Sequence, residues 1–160
     1  MDSDTFDRFI EGLDHPMLVV TVAHGGERSG CLVGFATQTS IDPPRLLVCL
    51  SKANHTYGVA ERAALLGVHV PAADQHDLAE LFGGETEDEV DKFVRCAWSA
   101  GPGGTPLLDT PRRLVGRVLA RHDVGDHVGF LLEPLTAERL DERPALTMRM
   151  VADVDPGHPA

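Results

Sequence analysis

The sequence predicts a mainly β domain: an antiparallel β-barrel, closed or partly closed, with short helices at its joints. Three observations carry this. About six stretches have strand composition, apolar or alternating. Turn residues between them join neighbours into hairpins. The length, 160 residues, is that of one compact domain able to bury a core without disulfides or a structural metal. A small barrel buries such a set of strands and removes sheet edges.

Taken in order, residues 4–13 form a short amphipathic helix, with Phe6, Phe9, Ile10 and Leu13 near helical spacing and charges between them. Pro16 ends that pattern. Residues 17–23 are a β-branched strand, residues 24–30 a turn-rich loop and residues 31–39 the returning strand, so the pair reads as a hairpin. Asp42-Pro43-Pro44 ends the second strand, because proline cannot donate into a ladder. Residues 45–50 are a strongly apolar strand, 51–55 a polar loop, 56–64 a helix and 65–70 a strand. Residues 74–82 read as a helix with Asp74 as N-cap and with Leu78, Leu81 and Phe82 on one face; Gly83-Gly84 closes it. Residues 85–91 are a negative run expected in a solvated turn or short helix, and 99–111 a Gly- and Pro-rich surface loop. Residues 114–121 and 127–135 make a second hairpin around a turn at 122–126. Residues 144–150 are a candidate further strand, and the tail after Val151 is expected to fray. The domain plan is a helix over 1–14, the barrel domain over 15–150 and a flexible tail over 151–160.

Composition excludes several classes. The net charge of -11 disfavours nucleic acid and anionic membrane as partners. An anionic ligand therefore needs a local positive site. Arginine supplies nearly all the positive charge; the only lysines are Lys52 and Lys92. Cys31, Cys49 and Cys96 are far apart, with no CxxC pair, and Cys31 and Cys49 sit in strand-like runs that suit buried free thiols. His69 and His76 lie on different elements and His122 and His127 flank one turn, so no paired metal-ligand spacing is present. The acidic N-terminus is unlike a signal peptide, and no apolar run reaches membrane-spanning length, so a cytoplasmic location is expected.

Four stretches bear on function. They are residues 30–44 (Gly30-Cys31-Leu32-Val33-Gly34-Phe35-Ala36-Thr37-Gln38-Thr39-Ser40-Ile41-Asp42-Pro43-Pro44), residues 50–57 (Leu50-Ser51-Lys52-Ala53-Asn54-His55-Thr56-Tyr57), Asp91-Lys92-Phe93, and Gly125-Asp126-His127-Val128-Gly129-Phe130. In this order and at these separations the chain resembles the flavin reductase domain family, over roughly residues 15–137. The strand-Pro-Pro-strand-polar-loop block is the strongest part. The resemblance implies a split β-barrel of the FMN-binding type. Leu32 stands where polar residues are common in that family, and Gln38 where a small hydroxyl residue is common.

A flavin has a flat tricyclic ring, a ribityl chain and a phosphate. Gly34, Ala36 and Thr37 are small enough to let a backbone approach the ring. The resemblance implies that the backbone of Val33, Gly34, Phe35, Ala36, Thr37 and Gln38 contacts the ring, with Ser40 near the ribityl or phosphate end. The alternative for Gly34 is a barrel bend. Ser51, Lys52, Asn54 and Thr56 offer hydroxyl, ammonium and amide donors where a helix begins, a chemistry suited to phosphate. The alternative is that Asn54 or Thr56 only caps the helix and Lys52 is only solvated. Gly125-Asp126 suits a hairpin turn, and by resemblance His127 lies beside the flavin and the nicotinamide, supplying alignment and electrostatics. Phe93 is expected to pack and Lys92 to pair with carboxylates.

The resemblance implies an NAD(P)H-dependent reductase of FMN, or alternatively FAD, held non-covalently. It also implies a homodimer with flavin near the interface and a monooxygenase partner that receives reduced flavin. A second reading is a flavin- or haem-holding barrel without nicotinamide turnover. A third is a barrel that has lost its cofactor and serves in assembly.

Overall fold

The computed structural model describes residues 1–84 and 91–154. Nine strands are present among them: β1 (Leu18–His24), β2 (Glu27–Val33), β3 (Ala36–Ser40), β4 (Arg45–Ser51), β5 (Leu65–Val70), β6 (Trp98–Ala100), β7 (Pro106–Leu108), β8 (Arg112–Asp123) and β9 (His127–Arg139). Three α-helices accompany them: α1 (Ser3–Ile10), α2 (His55–Ala60) and α3 (His76–Gly84). Seven strands form one antiparallel sheet in the order β2-β1-β5-β8-β9-β4-β3, and β6 and β7 pair separately.

The sheet is strongly curled. Leu18 on β1 and Leu46 on β4 have three strands between them in the order, yet line one cavity. β2 and β3 occupy opposite edges, yet only Gly34 and Phe35 join them. Three peptide steps from Val33 to Ala36 span at most about 11 Å, so the two edges converge at that end. The main core fills the concave side: Val20, Val22, Val48, Leu50, Leu66, Phe130 and Leu132 are fully buried there, with α2 contributing Val59 and Ala60. Each large apolar side chain so buried stabilises the fold by about 1.5–3 kcal/mol.

A second cluster covers the other face of β1, where Val19 packs with Phe82 of α3, Phe93 and Leu108 of β7. Lys92 is buried in this region and donates to the carbonyls of Gly30 (3.2 Å) and Phe82 (3.3 Å). His69 is fully buried between β1 and β7. Leu108 donates its N–H to Nε2 (3.1 Å), so Nδ1 carries the proton and donates to the Val19 carbonyl (3.0 Å). Beside it, a Cβ built on Gly67 would stand 2.3 Å from Thr21 Oγ1, with His69 Cε1 and Thr105 Cγ2 at 3.1 Å. Thr21 Oγ1 is committed to the Pro106 carbonyl at 2.7 Å and cannot swing aside without losing that bond. Gly67→Ala is therefore expected to cost about 2 kcal/mol, read as a lower urea midpoint at unchanged slope.

The structure corrects several sequence expectations. The strand expected over 31–39 is two strands. Gly34 and Phe35 lie between them, and the chain turns from one sheet edge to the other. Gly34 fits there because its Cβ position already meets Met148 Cε at 3.2 Å. The first turn is only Gly25-Gly26, both at positive φ, so β2 begins earlier than residue 31. The expected loop over 99–111 holds the β6–β7 hairpin, closed by Gly101, Pro102, Gly103 and Gly104, and Leu108 is fully buried. Residues 144–150 are not a strand: they make isolated bridges at Ala72–Ala145 and Pro16–Thr147 and then a 3₁₀ turn, Met148–Val151. α3 starts at His76, and Asp74 pairs with Arg143 (3.2 Å) instead of capping it; Gly83 and Gly84 lie within its last turn. α2 ends at Ala60, short of residue 64. Residues 85–90 of the negative run and the tail from residue 155 lie outside the described residues.

α1 keeps its amphipathic pattern and its N-cap, Asp2, which accepts from the Thr5 N–H (2.8 Å). None of its residues is buried: Phe9 is 72% and the following Leu13 60% exposed. The apolar stripe therefore has no cover among the described residues. No described helix is long and apolar enough to cross a membrane.

Candidate functional site

The convex face of the sheet around β3, β4 and β9 gathers most of the predicted site. The register pairs Thr37 with Leu47 and Leu47 with Leu131, and it pairs Cys49 with Gly129 and Ser51 with His127. Side chains alternate along a strand, so these residues share the face opposite the buried Val48, Leu50, Val128 and Phe130. Phe35 continues the row: its carbonyl accepts from the Cys49 N–H (2.9 Å), and its ring lies 4.9 Å from the His127 imidazole, tilted by 57°. Gly129 keeps the middle of the row low. A Cβ there would sit 3.1 Å from Leu47 Cδ1 and 3.7 Å from Cys49 Sγ. Cys49 is half-buried and burial raises its pKa, so it is a thiol and not a thiolate.

β3 ends the sheet order, so one side of its backbone faces no other strand among the described residues. Ala36, Thr37 and Gln38 are exposed and Ser40 is half-buried. Thr37 Oγ1 donates to the Gln38 carbonyl and Gln38 Nε2 to the Ser40 carbonyl, both at 3.2 Å. The side chains thus hold the local strand without closing its edge. Val33, at the end of β2, is buried and belongs to the main core.

The loop after β4 and the turn before β9 are tied together. Lys52 donates its backbone N–H to the Asp126 carbonyl (3.0 Å), and its Nζ pairs with Asp123 Oδ2 (2.9 Å). Asp123 Oδ1 also receives the Gly125 N–H at 3.1 Å; the lysine and that N–H together lower the Asp123 pKa. His127 Nδ1 lies 2.6 Å from Asp126 Oδ1, a contact that lowers the Asp126 pKa. The His127 side chain is only 15% exposed, so its orientation is fixed from both sides, by Phe35 and by Asp126. Among the described residues, His127 Nε2 has no hydrogen-bond partner.

The remaining loop residues divide. Ser51 Oγ accepts from the Ala53 N–H (3.2 Å) at the edge of the convex face. Asn54 caps α2 by accepting the Thr56 N–H (2.9 Å). Thr56 is fully buried and its hydroxyl bonds Ser29 Oγ (2.8 Å). So Phe35, Thr37, Ser51, Lys52 and His127 come together, while Val33, the side chain of Asn54 and the hydroxyl of Thr56 act inside the fold. Two features escaped sequence reading. The Phe35 ring against His127 needs the register of three strands, and the Lys52–Asp123 pair joins residues 71 apart. Neither leaves a local signal.

Residues 10–151 match the sequence pattern of the family described as flavin reductase like domain. The FMN reductase (NADH) RutF of Stutzerimonas stutzeri strain A1501 is 31% identical over 129 residues, which are 80% of this chain and 74% of that protein. HsaB of Rhodococcus jostii strain RHA1, the reductase subunit of a flavin-dependent monooxygenase, is 33% identical over 126 residues, 75% of this chain and 63% of that protein. Among solved structures, the NADH:FAD oxidoreductase SgcE6 of Streptomyces globisporus C-1027 superposes with a TM-score of 0.85 at 27% identity, covering 94% of this chain and 90% of that one.

Proposed function

The chain belongs to the flavin reductase like domain family, and from that premise we propose that it is an NAD(P)H-dependent flavin reductase that holds FMN or FAD non-covalently in a split-barrel fold. The observation that carries this is the open edge of β3 beside the Phe35–His127 ring pair, with Lys52 next to His127 at the end of the same row. A flavin ring needs a flat surface with backbone donors and acceptors along its polar side, and the free edge from Phe35 to Gln38 offers both. Small side chains at Ala36 and Thr37 and the bare Gly129 leave room for it. The residues present therefore fit the group. When bound, flavin supplies the ring that takes up hydride from reduced nicotinamide.

The chain's own part is binding and alignment. Lys52, with Ser51 and the Asn54-capped turn that begins α2, provides donors for a phosphate, its ammonium exchanging Asp123 for the phosphate when flavin binds. Ser40, opposite Arg45, stands six residues along β4 from Ser51, roughly 20 Å, and so lies at the other end of the ring edge from Lys52. Thr56 keeps the turn in shape through Ser29. His127, held by Asp126 and Phe35, turns its free Nε2 toward the nicotinamide side and moves no obligatory proton.

We further assign a homodimer. The uncovered stripe of α1 and the exposed Phe35 are apolar surface that a second copy would bury and that would close the flavin slot from above. A monooxygenase partner follows the name carried by HsaB.

Flavin titration of the purified chain, followed by anaerobic mixing with NADH and with NADPH, tests the reading; no flavin binding and no flavin-dependent NADH oxidation would refute it. Lys52→Ala is expected to weaken FMN about tenfold and leave riboflavin nearly unchanged, because riboflavin lacks the phosphate. Equal losses for both ligands would take Lys52 out of the phosphate site. Light scattering at micromolar protein tests the dimer on its own.

A further inference from the structure

On the concave side, at the end of the curled sheet away from His127, lies a cavity of about 400 Å³ that the flavin site does not use. Its floor is apolar: Leu18, Leu46, Val68, Val70 and Leu114 come from four strands. Its rim carries Arg112, Arg113 and Arg139 against one acid, Glu138. Ala137, on the cavity wall, is ten residues from His127 along β9, roughly 30 Å of strand. The two sites thus lie on opposite faces and toward opposite ends.

Two of the three rim arginines are already paired. Arg113 is committed to Glu138 and to the Leu108 carbonyl. Arg139 pairs with Glu142. Arg112 has no ion-pair partner among the described residues; the acid whose charge it influences, Asp141, is held by Arg143. The register also sets Arg112 directly opposite Arg139. Like charges directly opposite on antiparallel strands are destabilising, and an anion between them reverses the sign. That such a pair stands over a hydrophobic mouth, in a chain of net charge -11, makes the charge local and specific.

We propose that this cavity binds a small amphiphilic carboxylate, its apolar body among Leu18, Val68 and Leu114 and its carboxylate between Arg112 and Arg139. A volume of this size suits a single ring or a short acyl chain. Guanidinium groups match a carboxylate in geometry as well as charge.

The probe is 3-phenylpropanoate, titrated into the full chain and followed by methyl and amide NMR, with neutral 3-phenylpropanamide as control. The acid is expected to shift signals of Leu18, Val68 and Leu114, and to bind about tenfold more tightly than the amide. Arg112→Gln is expected to remove that preference at a melting temperature no lower than the parent's, because it also relieves the repulsion with Arg139. Val70→Trp, which fills the mouth, is expected to abolish binding while the flavin titration stays as in the parent chain. Equal affinity for acid and amide overturns the proposal. So does a preference that survives Arg112→Gln, shifts confined to Phe35 and its neighbours, or shifts that follow protein concentration instead of ligand because a second copy covers the mouth. Because flavin binding is measured separately, failure here leaves the reductase reading standing, and the reverse holds.

Discussion

Between pH 6.5 and pH 4 the protein is expected to lose roughly 3 kcal/mol of folding stability through one side chain, His69. Complete burial lowers the pKa of this imidazole to about 4; the nearby Arg113 pushes the same way, and the hydrogen bond to the Val19 carbonyl opposes. In the unfolded chain the group titrates near 6.5. Above 6.5 it is neutral in both states and its contribution is fully present. As pH falls through the window, the unfolded state takes up the proton first and gains about 1.4 kcal/mol per pH unit over the folded state. Below 4 both forms are protonated and this group costs nothing further. Protonation would also put a hydrogen on Nε2, facing the Leu108 N–H that now donates to it, so the link between β5 and β7 would break. Urea unfolding at pH 7 and pH 4.5 measures the effect, with His69→Gln as reference because its amide does not titrate. The parent should lose more stability on acidification than the variant; parallel losses would show that the acid sensitivity resides elsewhere.

The second large effect concerns His127. His127→Ala is expected to slow anaerobic reduction of bound flavin by NADH about a hundredfold while weakening flavin binding less than tenfold. The argument is one of fixed geometry. The imidazole is clamped between the Phe35 ring and the Asp126 carboxylate, and it is nearly buried. A group held so firmly aligns what rests against it, and losing alignment raises the barrier more than it lowers affinity. Stopped-flow absorbance gives the rate and equilibrium titration the affinity. If both change by the same factor, His127 only helps to hold flavin; if neither changes, it has no part in the reaction.

Much of this was legible in the chain, and the exceptions have physical causes. Residues 65–70 form β5 at the expected bounds, because a short apolar run between polar loops leaves little choice. Strands β8 and β9 were expected from their composition around Gly125-Asp126, although both run longer than the pattern suggested. The division of residues 31–39 into two strands was not visible, since composition is strand-like on both sides of Gly34 and the turn depends on packing by Met148 and Met17. The β6–β7 hairpin was hidden by the glycines of its own turn, which read as loop. His69 gave no sign of its role, because both its partners, Val19 and Leu108, are distant in sequence. In the candidate site the sequence order pointed to the β3 and His127 regions, while the ion pair that anchors Lys52 depended on how the hairpin folds back.

The two-residue link between the sheet's edges has one further consequence. Phe35 is half of that link, and it is also the ring that braces His127. Any breathing that spreads the seam must therefore drag the aromatic brace with it, and anything that locks the brace must staple the seam. Thermal expansion of the scaffold and alignment at the reacting surface are thereby mechanically geared to each other.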